Sequence, residues 1–380
     1  MRVVFPYFAQ LHQVFHSLPI AAEMARRHRD VEVHAAGSTA AHVSFVRELL
    51  ARHVPDAPVK VDLLKRPLFD RGPAKKRTMM RNLIYLSGFD AIVTPERTSL
   101  FLKKLVGLGH ARLVWTRHGA GDRAIGFAED VSTFDYVLVA GPKIEERLLS
   151  SGLIRPGHYC TGVYAKFDWA RGRPPRRWFD NDRPTVLYNP HFDAKLSSWP
   201  SFGLSVLEQF AGSSRYNLIF APHIRLFDPP TSRKYERFAR FAMCPNVRID
   251  LGSVHGIDLG YVESADLYLG DVSSQVAEFV SRPRPCLFLD AHGAAWQDNP
   301  DYAFWSLGKV LGSPDRILEQ VDQALASAAR YRPVQERYAT ETFGIAREGG
   351  GSAARGADAI VEFLRTGPRD LSAERPGDAA

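Results

Sequence analysis

The chain has 380 residues, 45% hydrophobic and 24% charged, with a formal net charge of +7 and a pI near 9.3. At roughly 150 residues per domain, that length predicts two domains with a core each. The three cysteines, Cys160, Cys244 and Cys286, are too far apart for a disulfide framework or a zinc site, and no stretch approaches the roughly 20 apolar residues that cross a bilayer.

The N-terminal MRVVFPYFAQLHQVFHS is interrupted by Gln10, His12, Gln13 and His16, and no small-residue cleavage site follows, so the sequence predicts no signal peptide. Short β-branched runs then alternate with helical patterns. In the first half strands are expected at Arg2–Pro6, Val31–Ala35, Val59–Leu63, Ala91–Thr94, Arg112–Thr116 and Tyr136–Val139. Helices are expected near His16–Arg27, Ala40–Arg52, Ala74–Leu86, Thr98–Val106 and Ile144–Leu149. In the second half the strands are Val186–Asn189, Leu218–Ala221, Val247–Asp250, Leu267–Gly270 and Pro285–Leu289. Helices near Ser201–Phe210, Ser232–Ala242, Ile257–Glu263 and Ser274–Val280 separate them. After Leu289 the pattern turns helical, with one long amphipathic helix over Pro314–Tyr331.

Strand–helix–strand alternation with runs as apolar as VLVAG and CLFLD predicts parallel sheets covered on both faces. Phe167–Pro184 is rich in Pro, Arg and Asp and has no period, which reads as a linker. The expected organisation is an N-terminal Rossmann-like domain over 1–166, a linker over 167–184 and a second Rossmann-like domain over 185–350. A helix over 351–366 and a polar tail over 367–380 follow. This is an α/β chain of two doubly wound domains, and ligands bind such sheets in the crevice past the carboxyl ends of the strands.

Several side chains follow strand ends. Arg117-His118-Gly119 closes an apolar strand, and Gly119 and Gly121 permit a sharp turn. A neutral His118 there is suited to take a proton near pH 7, against the simpler reading that it holds the turn. Pro222-His223-Ile224-Arg225 follows the next domain's second strand, and His223 with Arg225 suits a pyrophosphate. Asn189-Pro190-His191-Phe192-Asp193 adds His191 and Asp193. Gly270-Asp271-Val272-Ser273-Ser274-Gln275 opens a helix that Asp271 or Ser273 caps, with Ser274 and free N–H groups directed at an anion, or is an ordinary N-cap. Gln13, His16 and Ser17 follow the first strand, where Ser17 also suits a helix cap. No Walker, H-E-x-x-H, G-x-S-x-G or N-terminal G-x-G-x-x-G pattern is present, and no metal ligands fall at helical spacing.

In this order the motifs resemble the CDP-glycerol glycerophosphotransferase family, the teichoic-acid polymerase group of GT-B enzymes. Arg117-His118-Gly119 is similar to that family's His-Gly after a strand, and Ala221-Pro222-His223-Ile224 to its Pro-His-Pro loop. Its Asp-(aromatic)-Ser-Ser signature looks like Asp271-Val272-Ser273-Ser274, followed by Arg284-Pro285-Cys286-Leu287-Phe288. The likeness covers about Val114 to Asp290. It implies two domains facing a central cleft, C-terminal helices packing back on the N-terminal domain, and transfer without a metal or cofactor. It casts His118 and His223 as the catalytic pair. Arg225, Asp271, Ser273, Ser274, Gln275 and His191 would bind the donor, and Gln13, His16, Arg117, Gly119 and Arg123 would line the acceptor side. Val272, His191 and Ile224 depart from the family pattern, so CDP-glycerol, CDP-ribitol and a nucleotide sugar all stay open as donors.

The expected partners are a nucleotide-activated donor and a saccharide or lipid-linked acceptor. The basic residues between Lys65 and Arg81 suit a polyanionic acceptor or the anionic face of a membrane. No nucleic acid is expected, because no nucleic-acid motif is present, and the expected location is cytoplasmic, at most peripheral to the membrane. Two rivals share these features: a nucleotide-sugar 2-epimerase, for which Asp122 and Glu278 are the carboxylates at hand, and a non-catalytic polyanion-binding protein.

Overall fold

Strands that are apolar on both faces must be covered on both sides, and the chain achieves this twice. The computed structural model describes residues 1–66, 75–117, 119–120, 127–172 and 174–368. They divide into two units: the described residues of Met1–Gly119, Ile125–Gly172 and Thr342–Ala380, and those of Ala120–Ala124 and Arg173–Glu341.

The first unit runs β1 (Arg2–Tyr7), α1 (Val14–Arg27), β2 (Glu32–Gly37), α2 (Ala40–His53), β3 (Lys60–Leu63), α3 (Lys75–Arg81), α4 (Leu83–Leu86), β4 (Ala91–Thr94) and β5 (Arg112–Trp115). It continues with β6 (Tyr136–Leu138), α5 (Pro142–Ser150), β7 (Tyr159–Cys160) and α6 (Lys166–Arg171). Its seven parallel strands are ordered β3-β2-β1-β4-β5-β6-β7. The order reverses between β1 and β4, the topological switch point at which open α/β sheets take ligands.

The second unit holds β8 (Thr185–Asn189), α7 (Trp199–Ala211), β9 (Asn217–Phe220), α8 (Ser232–Glu236), α9 (Ala239–Ala242), β10 (Val247–Ile249) and α10 (Gly260–Ser264). After these come β11 (Leu267–Gly270), α11 (Ser274–Val280), β12 (Cys286–Leu289), β13 (Lys309–Leu311) and α12 (Ile317–Ala326). Its six parallel strands are ordered β10-β9-β8-β11-β12-β13, with the switch between β8 and β11. Every residue of β8, β9, β11 and β12 is buried, and Tyr188, Phe210, Phe220 and Phe238 pack among them.

The chain crosses back to the first unit within α13 (Ala328–Phe343) and ends in α14 (Ser352–Thr366). The buried face of α14, Ala353, Gly356, Ala357, Ile360 and Val361, carries small residues and packs against α1, so the C-terminal helix does return to the N-terminal sheet. Asp358 clamps it by accepting from Arg27 at 3.0 and 2.7 Å and by meeting His28 Nε2 at 2.8 Å. The cap position is Gly351, which has no side chain to satisfy the first N–H groups. Asp168 on α6 replaces one, accepting the Ala353 N–H at 2.7 Å.

Several expectations change. Phe167–Pro184 is not one linker: its start lies in α6, and Trp178 donates to Ser264 Oγ at 3.1 Å within the second unit. Thr98–Val106 is a 3-10 helix over Arg97–Lys104. Ala74–Leu86 breaks at Asn82, whose amide bonds both polar backbone groups of Lys65 at 2.9 Å. The long helix over Pro314–Tyr331 begins at Ile317 and breaks at Ser327. The strands β7 and β13, two and three residues long, were not expected, since such runs are too short to show a period. The expected tail lies outside the described residues from position 369 onward.

Asp168→Ala is expected to cost about 0.5–2 kcal/mol, the usual loss for an N-cap, and to speed amide exchange in the first turn of α14 before the rest of the unit. Hydrogen exchange with urea unfolding checks both.

Candidate functional site

In the second unit, the loops after β8, β9 and β11 carry a cluster built on one buried carboxylate. Asp271 is fully buried, and its Oδ2 accepts the backbone N–H of His191 at 2.7 Å and of Ser198 at 2.9 Å. It thereby ties the end of β11 to the β8 loop and to the residue before α7. Gly270 permits this approach: a Cβ there would lie 2.7 Å from the Asn189 carbonyl oxygen. Burial pushes the Asp271 carboxyl up to about 7, against the lowering effect of its two backbone donors. Asp271, expected to bind the donor, is therefore enclosed by protein, and it does not cap α11. Ser273 caps that helix, accepting the Gln275 N–H at 3.3 Å.

Around this anchor four side chains converge. The His191 and His223 rings are 5.7 Å apart, and the Phe192 ring lies 4.4 Å from the first and 4.5 Å from the second. The Arg225 guanidinium sits 4.0 Å over Phe192, a cation–π contact that aims an otherwise exposed fork. His223 Nδ1 accepts the Arg225 N–H at 3.2 Å, and His191 Nδ1 accepts the Asp193 N–H at 3.0 Å. An Nδ1 that accepts in this way leaves the ring proton on Nε2, as a donor. Burial, then the charges of His191 and Arg225, pull His223 down to about 4, so at neutral pH it is an uncharged hydrogen-bond donor. The sequence motifs contained Phe192 without singling it out; its signal was an aromatic ring in a strand-end loop between two histidine motifs.

Ser274 is exposed at the start of α11, a helix of only seven residues. Gln275 donates its amide to the Gly256 carbonyl at 3.0 Å, fastening α11 to the loop after β10. Glu278 is buried on α11.

His118 and Arg123, and with them Gly121 and Asp122, lie outside the described residues. Their neighbour Arg117 is buried in the left-handed region at φ 49°, rare for a side-chain-bearing residue. Its guanidinium lies 5.0 Å from both the Trp115 and Phe127 rings. Gly119 has φ 134°. Gln13 is buried in a 3-10 turn after β1, and His16 is buried with its edge on Tyr164 at 5.4 Å. Ser17 is no helix cap: it lies inside α1 and donates to the Tyr7 hydroxyl at 3.3 Å. Among the described residues no group of three His, Cys, Asp or Glu side chains converges as a metal site.

No family model and no curated protein matches the sequence. Solved structures do. A variant of the wall teichoic acid polymerase TagF soaked with CDPG superposes with a TM-score of 0.65 at 14% identity, over 96% of this chain and 88% of that one. UDP-GlcNAc 2-epimerase from Neisseria meningitidis, bound to UDP-GlcNAc, gives a TM-score of 0.59 at 14% identity, over 96% and 100%. A putative UDP-N-acetylglucosamine 2-epimerase from Listeria monocytogenes gives 0.65 at 13%, over 97% and 98%. At these identities the likeness is one of fold: the two-sheet α/β architecture of the GT-B class.

The Asp271 carboxyl holds its proton more tightly in the folded chain (about 7) than in the unfolded one (3.8). Its contribution to stability therefore falls as pH rises through that window and levels off above it. The slope is at most about 1.4 kcal/mol per pH unit. Asp271→Asn keeps an oxygen for both N–H groups, so urea unfolding from pH 4.5 to 8 should show a flatter profile than wild type and a gain above pH 7.

Proposed function

We propose that this chain is a transferase that takes a nucleotide-diphosphate donor in its second unit and moves a glycerol-phosphate-like or glycosyl unit onto a saccharide or lipid-linked acceptor. The observation that carries this reading is the cluster of Arg225, His223 and His191 around Phe192, beside the β8–β11 switch point. An arginine fork and two Nε2–H donors suit the oxygens of a diphosphate. A bound anion would offset the positive charges that help depress His223, though not its burial, and the Nε2–H would donate to the negative charge that develops on the leaving group. Fixed dipoles and cations then stabilise the departing nucleotide without a metal ion. On this reading Asp271 is a positioning residue rather than a donor ligand, and Arg117, held between two rings in a strained turn, serves the acceptor side with Gly119. The TagF structure soaked with CDPG and the Neisseria meningitidis epimerase structure with bound UDP-GlcNAc support the choice of ligand class.

Thermal shift against CDP, UDP, GDP, CMP and their glycerol or sugar conjugates tests the reading. A ligand bound only by the folded state at 100 times its Kd stabilises by about 2.7 kcal/mol. One diphosphate is expected to raise the melting temperature of wild type, and His223→Ala and Arg225→Ala should each lose most of the rise. No response at millimolar concentration would remove the reading's main support. The second reading, a 2-epimerase, is favoured by the epimerase structures of the same fold. Turnover of a nucleotide sugar to its epimer without any acceptor would select it.

We infer further that the first unit meets an anionic membrane surface. Lys76, Arg77 and Arg81 are exposed along α3, and Met80 and Ile84 expose 49% and 91% of their surface on α3 and α4. Lys65 is exposed beside them, its backbone held by Asn82. No helix among the described residues is long and apolar enough to cross a membrane, so the contact is peripheral. With each surface charge contributing about 1 kcal/mol, Arg77→Glu with Arg81→Glu should cut cosedimentation with phosphatidylglycerol vesicles more than tenfold and leave nucleotide binding intact. Equal loss of both would overturn the inference.

A further inference from the structure

The first unit keeps unpaired polar atoms buried beside its own switch point. Glu96, two residues past β4, is 3% exposed. Its Oε2 accepts Lys75 Nζ at 2.6 Å and Thr98 Oγ1 at 3.0 Å, while its Oε1 is buried and accepts nothing. Thr116 follows β5, and its buried Oγ1 has no partner. Both are fixed by Thr94: its carbonyl accepts the Thr116 N–H at 3.0 Å and its hydroxyl the Glu96 N–H at 3.1 Å.

His42, in the first turn of α2, is 5% exposed. Its Nδ1 meets Thr39 Oγ1 at 2.7 Å, and its Nε2, near the Ala9 carbonyl, completes no hydrogen bond. Gly37 lets α2 start this close to β2, since a Cβ there would lie 2.7 Å from the Cβ of His42. Burial keeps the His42 ring below its ordinary pKa, against the nearby Ala9 carbonyl and then the Glu96 charge, which raise its proton affinity.

Buried polar atoms without partners are few in folded proteins, and each calls for an explanation. Here three side chains, His42 in the first turn of the helix after β2 and Glu96 and Thr116 just past β4 and β5, leave such an atom each around the β1–β4 switch. A carboxylate oxygen accepts only, a neutral imidazole donates and accepts, and a threonine hydroxyl does both. That set suits neutral hydroxyl groups, and Glu96 disfavours a phosphate. We propose that Glu96, His42 and Thr116 form a hydroxyl-binding subsite for the polyol or sugar portion of the acceptor, with Glu96 Oε1 accepting from one hydroxyl. Its assignment to the acceptor rests on the transferase reading; its affinity for hydroxyls does not.

Saturation-transfer NMR of the full chain with glycerol, ribitol and methyl α-glucoside tests it. At least one probe should bind wild type, and Glu96→Gln and Thr116→Val should each weaken it about tenfold or more while the nucleotide thermal shift is kept. If Glu96→Gln melts early through loss of the Lys75 pair, Thr116→Val decides, since it removes only an unpaired hydroxyl. No signal from any probe on wild type overturns the subsite, as does an undiminished signal from a folded variant. Loss of every nucleotide response with hydroxyl binding still sensitive to Glu96 and Thr116 would overturn the transferase reading and leave the subsite standing.

Discussion

The second unit's site depends on one carboxylate taken out of water. Asp271 holds the N–H groups of His191 and Ser198 on a single oxygen, and so fixes where the β8 loop leaves the sheet and where α7 begins. A carboxyl buried this deeply is costly to ionise, and burial raises its proton affinity accordingly. What the cost secures is position. With the His191 backbone pinned, Phe192 stands between two imidazoles and carries the Arg225 guanidinium on its face. Arg225 keeps its charge at the surface, and the aromatic ring limits the directions it can point.

The first unit is organised differently. Its strand ends carry buried polar groups and backbone in unusual conformations: Arg117 at positive φ between two rings, Gly119 beyond it, and Glu96, His42 and Thr116 with unmet hydrogen-bonding capacity. Such features persist where surrounding structure enforces them, and they gather where ligands bind. At the far end of the chain, α14 packs on α1 and is held by Asp358 and Asp168. On the proposed function, the second unit offers cations and N–H donors to phosphate, and the first offers a carboxylate, an imidazole and a hydroxyl to alcohols.

The solved structures of this fold include a polymerase and epimerases. The fold serves both because a doubly wound sheet only supplies strand ends at a switch point, and the loops beyond them choose the reaction. On the proposed function, residues on those loops, rather than the sheets, separate the two chemistries in this chain.

Most of the sheet architecture was legible in the sequence, because doubly covered strands must be apolar throughout and the helices between them amphipathic; runs such as VLYN and CLFL carry that record locally. The strand-end histidines His191 and His223 were legible for the same reason, since a strand's end locates the loop that follows. Three-residue strands such as β13 were not, because their partner lies elsewhere in the chain and supplies the pairing. Tertiary structure alone decided that Asp271 turns inward while Ser273 caps the helix, since burial depends on which loop lies across it. It alone brought Phe192 under Arg225, and left Glu96 and His42 short of partners. Apart from the Ser273 cap, those are relations between residues distant in sequence, set by the order of strands in a sheet, and no local pattern encodes them.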